Sequence, residues 1–128
     1  MQPRIERLKK RPEFLRVAAT RKKWATPGLI LQVKSQPAHR TDGFLRVGFT
    51  VSKKVGNSVE RNRAKRRLRA LATEILPPHA QAGFDLVIIG RRATLTRAYD
   101  KLAGDLIKAL DKTGVRVPKD AKQGEEST

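Results

Sequence analysis

The sequence contains no cysteine. That absence excludes disulfide bonds, zinc sites built on thiolates and catalysis by a thiol nucleophile. Aromatic residues are scarce as well, with four phenylalanines, one tryptophan and one tyrosine, and only 38% of the residues are hydrophobic. A chain of 128 residues has the length of one domain. We therefore expect a single domain with a small core and a large polar surface.

Long apolar segments are also missing. No run approaches the roughly 20 residues needed to span a bilayer. The basic residues at the N-terminus are not followed by the apolar stretch of a secretion signal. We therefore expect a cytoplasmic protein with no membrane partner.

Acidic residues are few, and this shortage has the strongest consequence. Lysine and arginine number 29 against 12 aspartates and glutamates, so the formal net charge is +17. A compact domain with this charge repels itself unless a polyanion or counterions neutralise it. Nine basic residues lie between positions 4 and 23 and eight between 53 and 69. Two such clusters predict a footprint on one nucleic acid.

Apolar periodicity and turn residues predict the order helix, strand, strand, helix, strand, helix. Phe14, Val17 and Ala18 form one stripe of the first helix, and the run 44–51 alternates apolar and polar residues as a half-buried strand does. This order predicts an α/β chain folded as an α+β two-layer sandwich. We expect one nucleic-acid-binding domain over 1–117, beginning with a basic arm over 1–11, and a disordered tail over 118–128. The elements are predicted at 12–20, 29–34, 44–51, 58–76, 84–89 and 96–112.

The helix that contains Arg61–Arg69 is the most informative element. At about 100° per residue, Ala64, Leu68, Leu71 and Ile75 fall on one stripe that can face a core. The rest of the circumference carries cations, and no acidic residue occurs between Glu60 and Glu74. An ordinary solvated helix mixes both signs of charge at a spacing of four residues. This helix therefore predicts a phosphate-rich partner.

Arginine suits such a partner because its planar fork binds phosphate at two points and stacks on bases. Asn62 adds a donor and an acceptor for a base edge or a sugar hydroxyl. Phe14 and Phe49 lie near the two basic clusters in sequence. They could stack on unpaired bases, but for each phenylalanine taken by itself we favour ordinary core packing.

The segment from Arg46 to Arg69 resembles the central block of the bacterial ribonuclease P protein subunit. In it a strand is followed by Lys53-Lys54, a Gly-Asn turn, Arg61-Asn62-Arg63 and then Lys65-Arg66. The resemblance extends over roughly residues 7–112. It implies that the chain assists the removal of the 5′ leader of precursor tRNA, whereas the RNA subunit performs the chemistry with Mg²⁺. It also implies a left-handed crossover between the strands near 44–51 and 84–89, where general rules favour a right-handed one.

The resemblance further implies the role of individual residues. Contact with the catalytic RNA is implied for Lys54, Arg61, Asn62, Arg63, Lys65, Arg66, Arg67 and Arg69. A cleft between the first helix and the sheet would hold the single-stranded leader, bordered by Phe14, Val17, Phe49 and Lys53. Relatives often place further aromatics where this chain has Ala18 and Gln32, which implies weaker stacking here. The expected partners are the catalytic RNA and precursor tRNA, with no obligate protein partner.

No catalytic constellation is visible in the sequence. The acidic residues are scattered, and His39 and His79 are expected in separate surface loops. A nuclease that uses metal ions needs clustered carboxylates, so we expect no metal site and no catalytic residue in the protein. The alternatives are a ribosomal or other structural RNA-binding protein, a DNA-binding protein that uses Arg61–Arg69 in the major groove, and a protein-only nuclease.

Overall fold

A computed structural model describes residues 2–36 and 43–117. The predicted tail over 118–128, His39 and most of the predicted loop between Ser35 and Gly43 lie outside these described residues. Five strands and three helices are present in the described residues. They are β1 (Arg4–Arg7), α1 (Arg11–Ala19), β2 (Lys23–Ala25), β3 (Leu29–Ser35), β4 (Phe44–Thr50), α2 (Ser58–His79), β5 (Phe84–Gly90) and α3 (Tyr99–Lys112), with short 3-10 helices at Lys53–Val55 and Arg92–Leu95.

The five strands form one mixed sheet in the order β1-β4-β5-β3-β2. β4 is parallel to both β1 and β5, whereas β3 is antiparallel to β5 and β2. β5 is therefore the middle strand, as its uninterrupted apolar run predicts. The parallel pairing of β4 and β5 through α2 confirms the predicted crossover connection, and its left-handed sense stays a prediction.

The main core lies between the sheet and the helices α2 and α3. Alternate residues of β5, Leu86 and Ile88, point into it together with Leu68 of α2 and Leu106 of α3. Val87, between them, faces the other side of the sheet and packs against α1. The α+β sandwich is thus confirmed, with α1 as an addition on the opposite face that the order of elements alone did not predict.

The two outer strands, β1 and β2, were not predicted. Residues 4–7 were expected in a basic arm, and residues 21–23 were expected only to end the first helix. Every residue of both strands is exposed, so neither shows the apolar alternation that identifies a strand. Backbone pairing with β4 and β3 holds them at the sheet edges. The observed order is therefore strand, helix, three strands, helix, strand, helix.

Two helix boundaries also differ from the prediction. α2 was expected to end before Pro77 and Pro78, but it contains both and ends at His79, so the placement of His79 in a loop was also wrong. The prolines remove only two hydrogen bonds, from carbonyls of exposed residues that water can reach, and Ala80 N–H donates to Leu76 O at 2.9 Å beyond them. α3 begins at Tyr99 rather than Thr96 because the 3-10 helix occupies 92–95.

Candidate nucleic-acid interface

The start of α2 is built by a reciprocal cap. Asn57 Oδ1 accepts from the Glu60 N–H, and Glu60 Oε1 accepts from the Asn57 N–H, each at 2.9 Å. Gly56 has φ 157°, and a Cβ at that position would overlap the Glu60 carboxylate. The Gly-Asn turn is thus required by the cap. The Glu60 carboxylate is used in the cap. The other charged residues near this positive helix end are therefore cations.

The predicted buried stripe of α2 is confirmed. Ala64, Leu68 and Leu71 have no exposed surface, and Ile75 is 7% exposed. Because this stripe is held against the sheet, the remaining side chains are aimed at solvent. The residues for which the resemblance implied RNA contact lie along the first half of α2 and in the 3-10 helix before it, beyond the end of β4. The exposed ones are Lys54, Asn62, Arg63, Arg66 and Arg69, and the half-buried ones are Arg61, Lys65 and Arg67. Lys53, which was implied to border the leader, is exposed in the same 3-10 helix.

Arg61 differs from its exposed neighbours. Its Nε is buried and has no hydrogen-bond partner among the described residues. A buried N–H without an acceptor costs about 1–3 kcal/mol. A phosphate or carbonyl oxygen would remove that cost if the side chain turned its Nε toward it, so Arg61 gains from such a ligand.

Arg67 has a role within the protein that the sequence did not reveal. Its Nη1 donates to Thr94 O and its Nη2 to Arg97 O, the latter at 2.7 Å. These carbonyls lie in and just after the 3-10 helix that precedes α3. Arg67 therefore fastens α2 to this segment, which distinguishes it from the other arginines of the helix.

Arg67→Ala should lower the free energy of unfolding by roughly 2 kcal/mol, because two hydrogen bonds from a charged donor are lost. Arg66→Ala, at an exposed position one residue away, is the matched control and should change it by less than about 0.5 kcal/mol. Urea unfolding followed by circular dichroism measures both variants. Equal stability of the two variants would contradict the fastening role.

A groove lies beside the start of α1 and the end of β4. It has a volume of about 320 Å³ and is lined by Lys9, Arg11, Phe14, Phe49 and Thr50. The ring of Phe14 lies on Gly48, where a Cβ would overlap it. The glycine thus allows the helix to approach the sheet closely enough to place this ring in the groove.

Two of the residues predicted to border the leader lie differently from expectation. Val17 has no exposed surface, so it packs below the groove with Leu8 and Val87 and cannot contact a ligand directly. Phe49 lines the groove but packs against the main core, on the face of the sheet opposite to Phe14. Phe49 is two residues after Val47 and four after Leu45 in β4, and alternate residues of a strand point to the same face of the sheet.

Arg46 joins α1 to the sheet below this groove. Its guanidinium contacts Asp85 at 2.6 and 2.8 Å and Glu13 of α1 at 2.8 Å. Asp85 also accepts from Gln36 Nε2 at 3.1 Å. Backbone N–H groups of Lys10 and Lys9 donate to Glu13, and together with Arg46 they lower the pKa of its carboxyl from the usual 4.5. The network sets the position of α1 over the sheet.

This lowered pKa makes the attachment of α1 sensitive to acid. A carboxyl whose pKa is lowered by folding stabilises the fold above its ordinary pKa, and the contribution is lost as the pH falls below it. The wild type and a Glu13→Gln variant should therefore differ in unfolding free energy at neutral pH and converge below about pH 4.5. Urea unfolding across this range measures the difference. A difference that stays constant with pH would contradict the assignment.

The two basic clusters meet between β1 and α2. Arg7 lies over the ring of Phe49, with 5.8 Å from Cζ to the ring centroid. The same shallow groove is lined by Arg69 and Thr73 of α2 and by Ile5 of β1. Cations of the N-terminal segment and of α2 therefore form one continuous surface, as the two clusters in the sequence predicted.

Arg91 and Arg92 extend this surface and were not singled out from the sequence. They follow β5 directly, and carboxyl ends of parallel strands share one edge of a sheet, so they lie near the start of α2 at the end of β4. Arg91 Nη1 donates to Thr26 O at 2.7 Å, whereas both residues remain exposed. The parallel crossover implied by the resemblance could have indicated them.

The described residues contain no group of three or more histidines, aspartates or glutamates placed to hold a metal ion. The carboxylates nearest the basic surface are already engaged, Glu60 in the helix cap and Glu13 with Arg46. This surface does not fit Mg²⁺. Among the described residues, no helix is both long enough and apolar enough to cross a membrane.

Comparison with known proteins identifies the family. The model of the family Ribonuclease P matches residues 2–114. The ribonuclease P protein component of Paramagnetospirillum magneticum is 60% identical over 117 residues, which cover 89% of this chain and 86% of that protein. That of Gluconacetobacter diazotrophicus is 48% identical over 120 residues, covering 91% and 97%.

The fold agrees with these sequence matches. The solved structure of the Staphylococcus aureus RNase P protein superposes with a TM-score of 0.68 at 26% identity, covering 85% of this chain and 95% of that one. The RNase P protein of Thermotoga maritima superposes with a TM-score of 0.67 at 23% identity, covering 80% and 93%, and supports the fold alone. With its central motif, its mixed sheet and these matches, the chain belongs to the family of bacterial ribonuclease P protein subunits.

Proposed function

We propose that this protein binds the catalytic RNA of ribonuclease P through the N-terminal half of α2. The observation that carries the proposal is the state of Arg61, whose buried Nε lacks an acceptor on a helix face without acidic residues. A phosphate oxygen that this side chain turned to meet would satisfy the donor and offset the repulsion between neighbouring cations. Lys54, Asn62, Arg63, Lys65, Arg66 and Arg69 add donors around it.

Arg67 contributes to RNA binding in a different way. Its two terminal nitrogens already donate to backbone carbonyls, so it positions the 92–97 segment beside α2. Remaining N–H groups of its guanidinium are free to reach a phosphate. We expect its substitution to weaken RNA binding less than substitution of an exposed arginine, and to cost more stability.

The groove at the start of α1 is proposed to hold the single-stranded 5′ leader of precursor tRNA. Phe14 offers an aromatic surface for a base, and Lys9 and Arg11 offer cations for the flanking phosphates. Lys53, exposed three residues beyond Thr50, is a further cation for the same strand. Phe49 forms part of the wall, and Val17 supports Phe14 from below. Ala18 is exposed and Gln32 half-buried, so stacking would depend chiefly on Phe14.

Within the holoenzyme the protein is proposed to act as an accessory subunit. The catalytic RNA would hold Mg²⁺ and hydrolyse the phosphodiester bond. The cations of this chain would neutralise repulsion between the phosphates of the catalytic RNA and those of the substrate. Less magnesium would then be needed for the same activity. We propose a cytoplasmic location, no membrane partner and no obligate protein partner.

The test is precursor tRNA cleavage by a cognate ribonuclease P RNA at low magnesium, with and without the protein. Correct 5′ maturation only when both are present supports the accessory role. Absence of stimulation, with an RNA that is active alone at high magnesium, would contradict it. Co-sedimentation with ribosomal subunits would then favour a ribosomal RNA-binding protein, and cleavage by the protein without RNA would favour a protein nuclease.

A further inference from the structure

The single tryptophan of the chain lies far from the surface described above. Trp24 belongs to β2, at the edge of the sheet opposite to β1. It pairs with the buried Leu31, which places its side chain on the face covered by α3 and not on the face covered by α1. The residue is 39% exposed. A large aromatic side chain left this open at a sheet edge is available to a ligand.

Two lysines lie near this indole. Lys112 at the end of α3 places its Nζ 5.7 Å from the ring centroid. Lys22 Nζ reaches Gly114, within 3.9 Å of the point where a Cβ would stand, so it lies beside the same end of α3. Arg21 precedes this segment and is exposed. The sequence has no acidic residue between Glu13 and Asp42, and on α3 the exposed Asp111 is next to Lys112, so cations outnumber acidic groups here.

The Trp24 patch, defined as Lys22, Trp24 and Lys112, is separate from the α2 surface. β5 and β3 lie between β2 and β4, which corresponds to roughly 14 Å across three strand spacings. The leader groove is on the other face of the sheet. The exposed indole of Trp24 therefore belongs neither to the basic surface of α2 nor to this groove.

Packing within the protein explains only part of the arrangement. The ammonium group of Lys112 lies over the ring, and such a cation–π contact is a common way of shielding an aromatic side chain. More than a third of Trp24 nevertheless stays open. An aromatic face between flexible cations is the arrangement by which proteins bind single-stranded nucleic acid, since bases stack on the ring and phosphates pair with the cations.

We propose that the Trp24 patch is a second RNA site, where an unpaired base stacks on Trp24 and its phosphates contact Lys22 and Lys112. The inference rests on the proposed function in one respect, that the partner of this protein is RNA. The unpaired base comes either from the catalytic RNA or from a part of the leader beyond the α1 groove. The chemistry of recognition is the same in both cases.

The first measurement uses the indole itself as the probe. Because Trp24 is the only tryptophan, its fluorescence reports this site alone when the tyrosine is not excited. Titration of the full chain with a single-stranded oligoribonucleotide should quench the emission, and added salt should reverse the quenching. Lys112→Gln, which removes one cation and keeps most of the stem, should weaken the response. Tryptophan emission that does not change on titration with the RNA would overturn the proposal.

The second measurement identifies the source of the base. Trp24→Ala should lower affinity roughly tenfold, and Trp24→Phe, which keeps a stacking surface, by about threefold or less. A loss in binding of the catalytic RNA alone assigns the base to that RNA. A loss only for holoenzyme binding precursor tRNA with a long leader, and not with a short one, assigns it to the leader. Wild-type affinity of Trp24→Ala in both assays, or equal losses for Trp24→Ala and Trp24→Phe, would overturn the proposal.

Failure of this inference is distinguishable from failure of the proposed function. Circular dichroism confirms that the variants fold, since Trp24 lies on an exposed three-residue edge strand. If Arg61→Ala/Arg63→Ala lowers affinity for the catalytic RNA but Trp24 does not respond to RNA, only the Trp24 patch is rejected. If Trp24 responds to the oligoribonucleotide but the wild type does not bind the catalytic RNA, the proposed function is rejected and the patch remains.

Discussion

Replacing Arg61 and Arg63 together with alanine should lower the affinity for the catalytic RNA by ~100-fold or more. Hydrogen bonds to charged groups contribute about 1.5–3 kcal/mol each, and every 1.4 kcal/mol corresponds to a factor of ten. Arg61 is the half-buried arginine whose Nε lacks an acceptor among the described residues, and Arg63 is exposed two residues later in the same helix. Filter binding or fluorescence anisotropy over a range of salt concentrations measures the loss, and the salt dependence should become less steep.

Two controls separate recognition from net charge. Lys101→Ala/Lys108→Ala removes two exposed cations from α3 and should change the affinity by no more than a few fold. Arg61→Lys/Arg63→Lys keeps the charge but removes the planar fork. Its affinity for the catalytic RNA should therefore lie between that of the alanine variant and that of the wild type. If the alanine variants at 61 and 63 bind no more weakly than those at 101 and 108, α2 is not the recognition helix.

The second large effect is expected at Asp85. Removing one partner of a buried ion pair costs about 3–5 kcal/mol, because the other charge is left without compensation. Asp85→Ala leaves Arg46, with 18% of its side chain exposed, bonded only to Glu13, so we expect a loss of roughly 3 kcal/mol. Urea unfolding measures it. Asp111→Ala, at an exposed position of α3, is the control and should stay within about 0.5 kcal/mol of the wild type.

A compensating variant tests the cause of this loss. Arg46→Met/Asp85→Leu removes both charges of this pair and replaces them with apolar side chains. Glu13 loses Arg46 but keeps the backbone N–H donors of Lys9 and Lys10. The double variant should recover much of the stability that Asp85→Ala loses. A double variant no more stable than Asp85→Ala would indicate that the contacts of Asp85 with the neighbouring Gln36, rather than the ion pair, govern the loss.

The elements whose own residues show a periodic apolar pattern could be predicted from the sequence. The alternation of β4 and the apolar stripe of α2 each predict one face that packs against a core. The uninterrupted apolar run of β5 predicts a strand that is buried on both faces. β1 and β2 could not be predicted in this way, because all their residues are exposed. Their position depends on backbone pairing with strands distant in the chain, which leaves no pattern in their own residues.

The candidate site was predictable to a similar degree. Charge and helical spacing located the exposed residues of α2, and the resemblance to the ribonuclease P protein subunit added their roles. The bonds of Arg67 depend on where the 92–97 segment folds, and Val17 is covered by Leu8, which precedes α1, and by Val87 of β5. Such facts arise from tertiary packing and are not encoded within one helix.

The two edge strands have one further consequence. β1 and β2 are close in sequence, separated by residues 8–22, but they lie at opposite edges of the sheet, roughly 19 Å apart across four strand spacings. α1, about 14 Å long, lies in this connection and packs on β3 and β5 between the two edges. Its length therefore helps to set the distance that the connection can cover. An insertion or deletion between Phe14 and Val17 would rotate one side chain relative to the other by about 100° per residue. It would also change the length of α1. Evolution can therefore vary the surface of this helix more freely than its length.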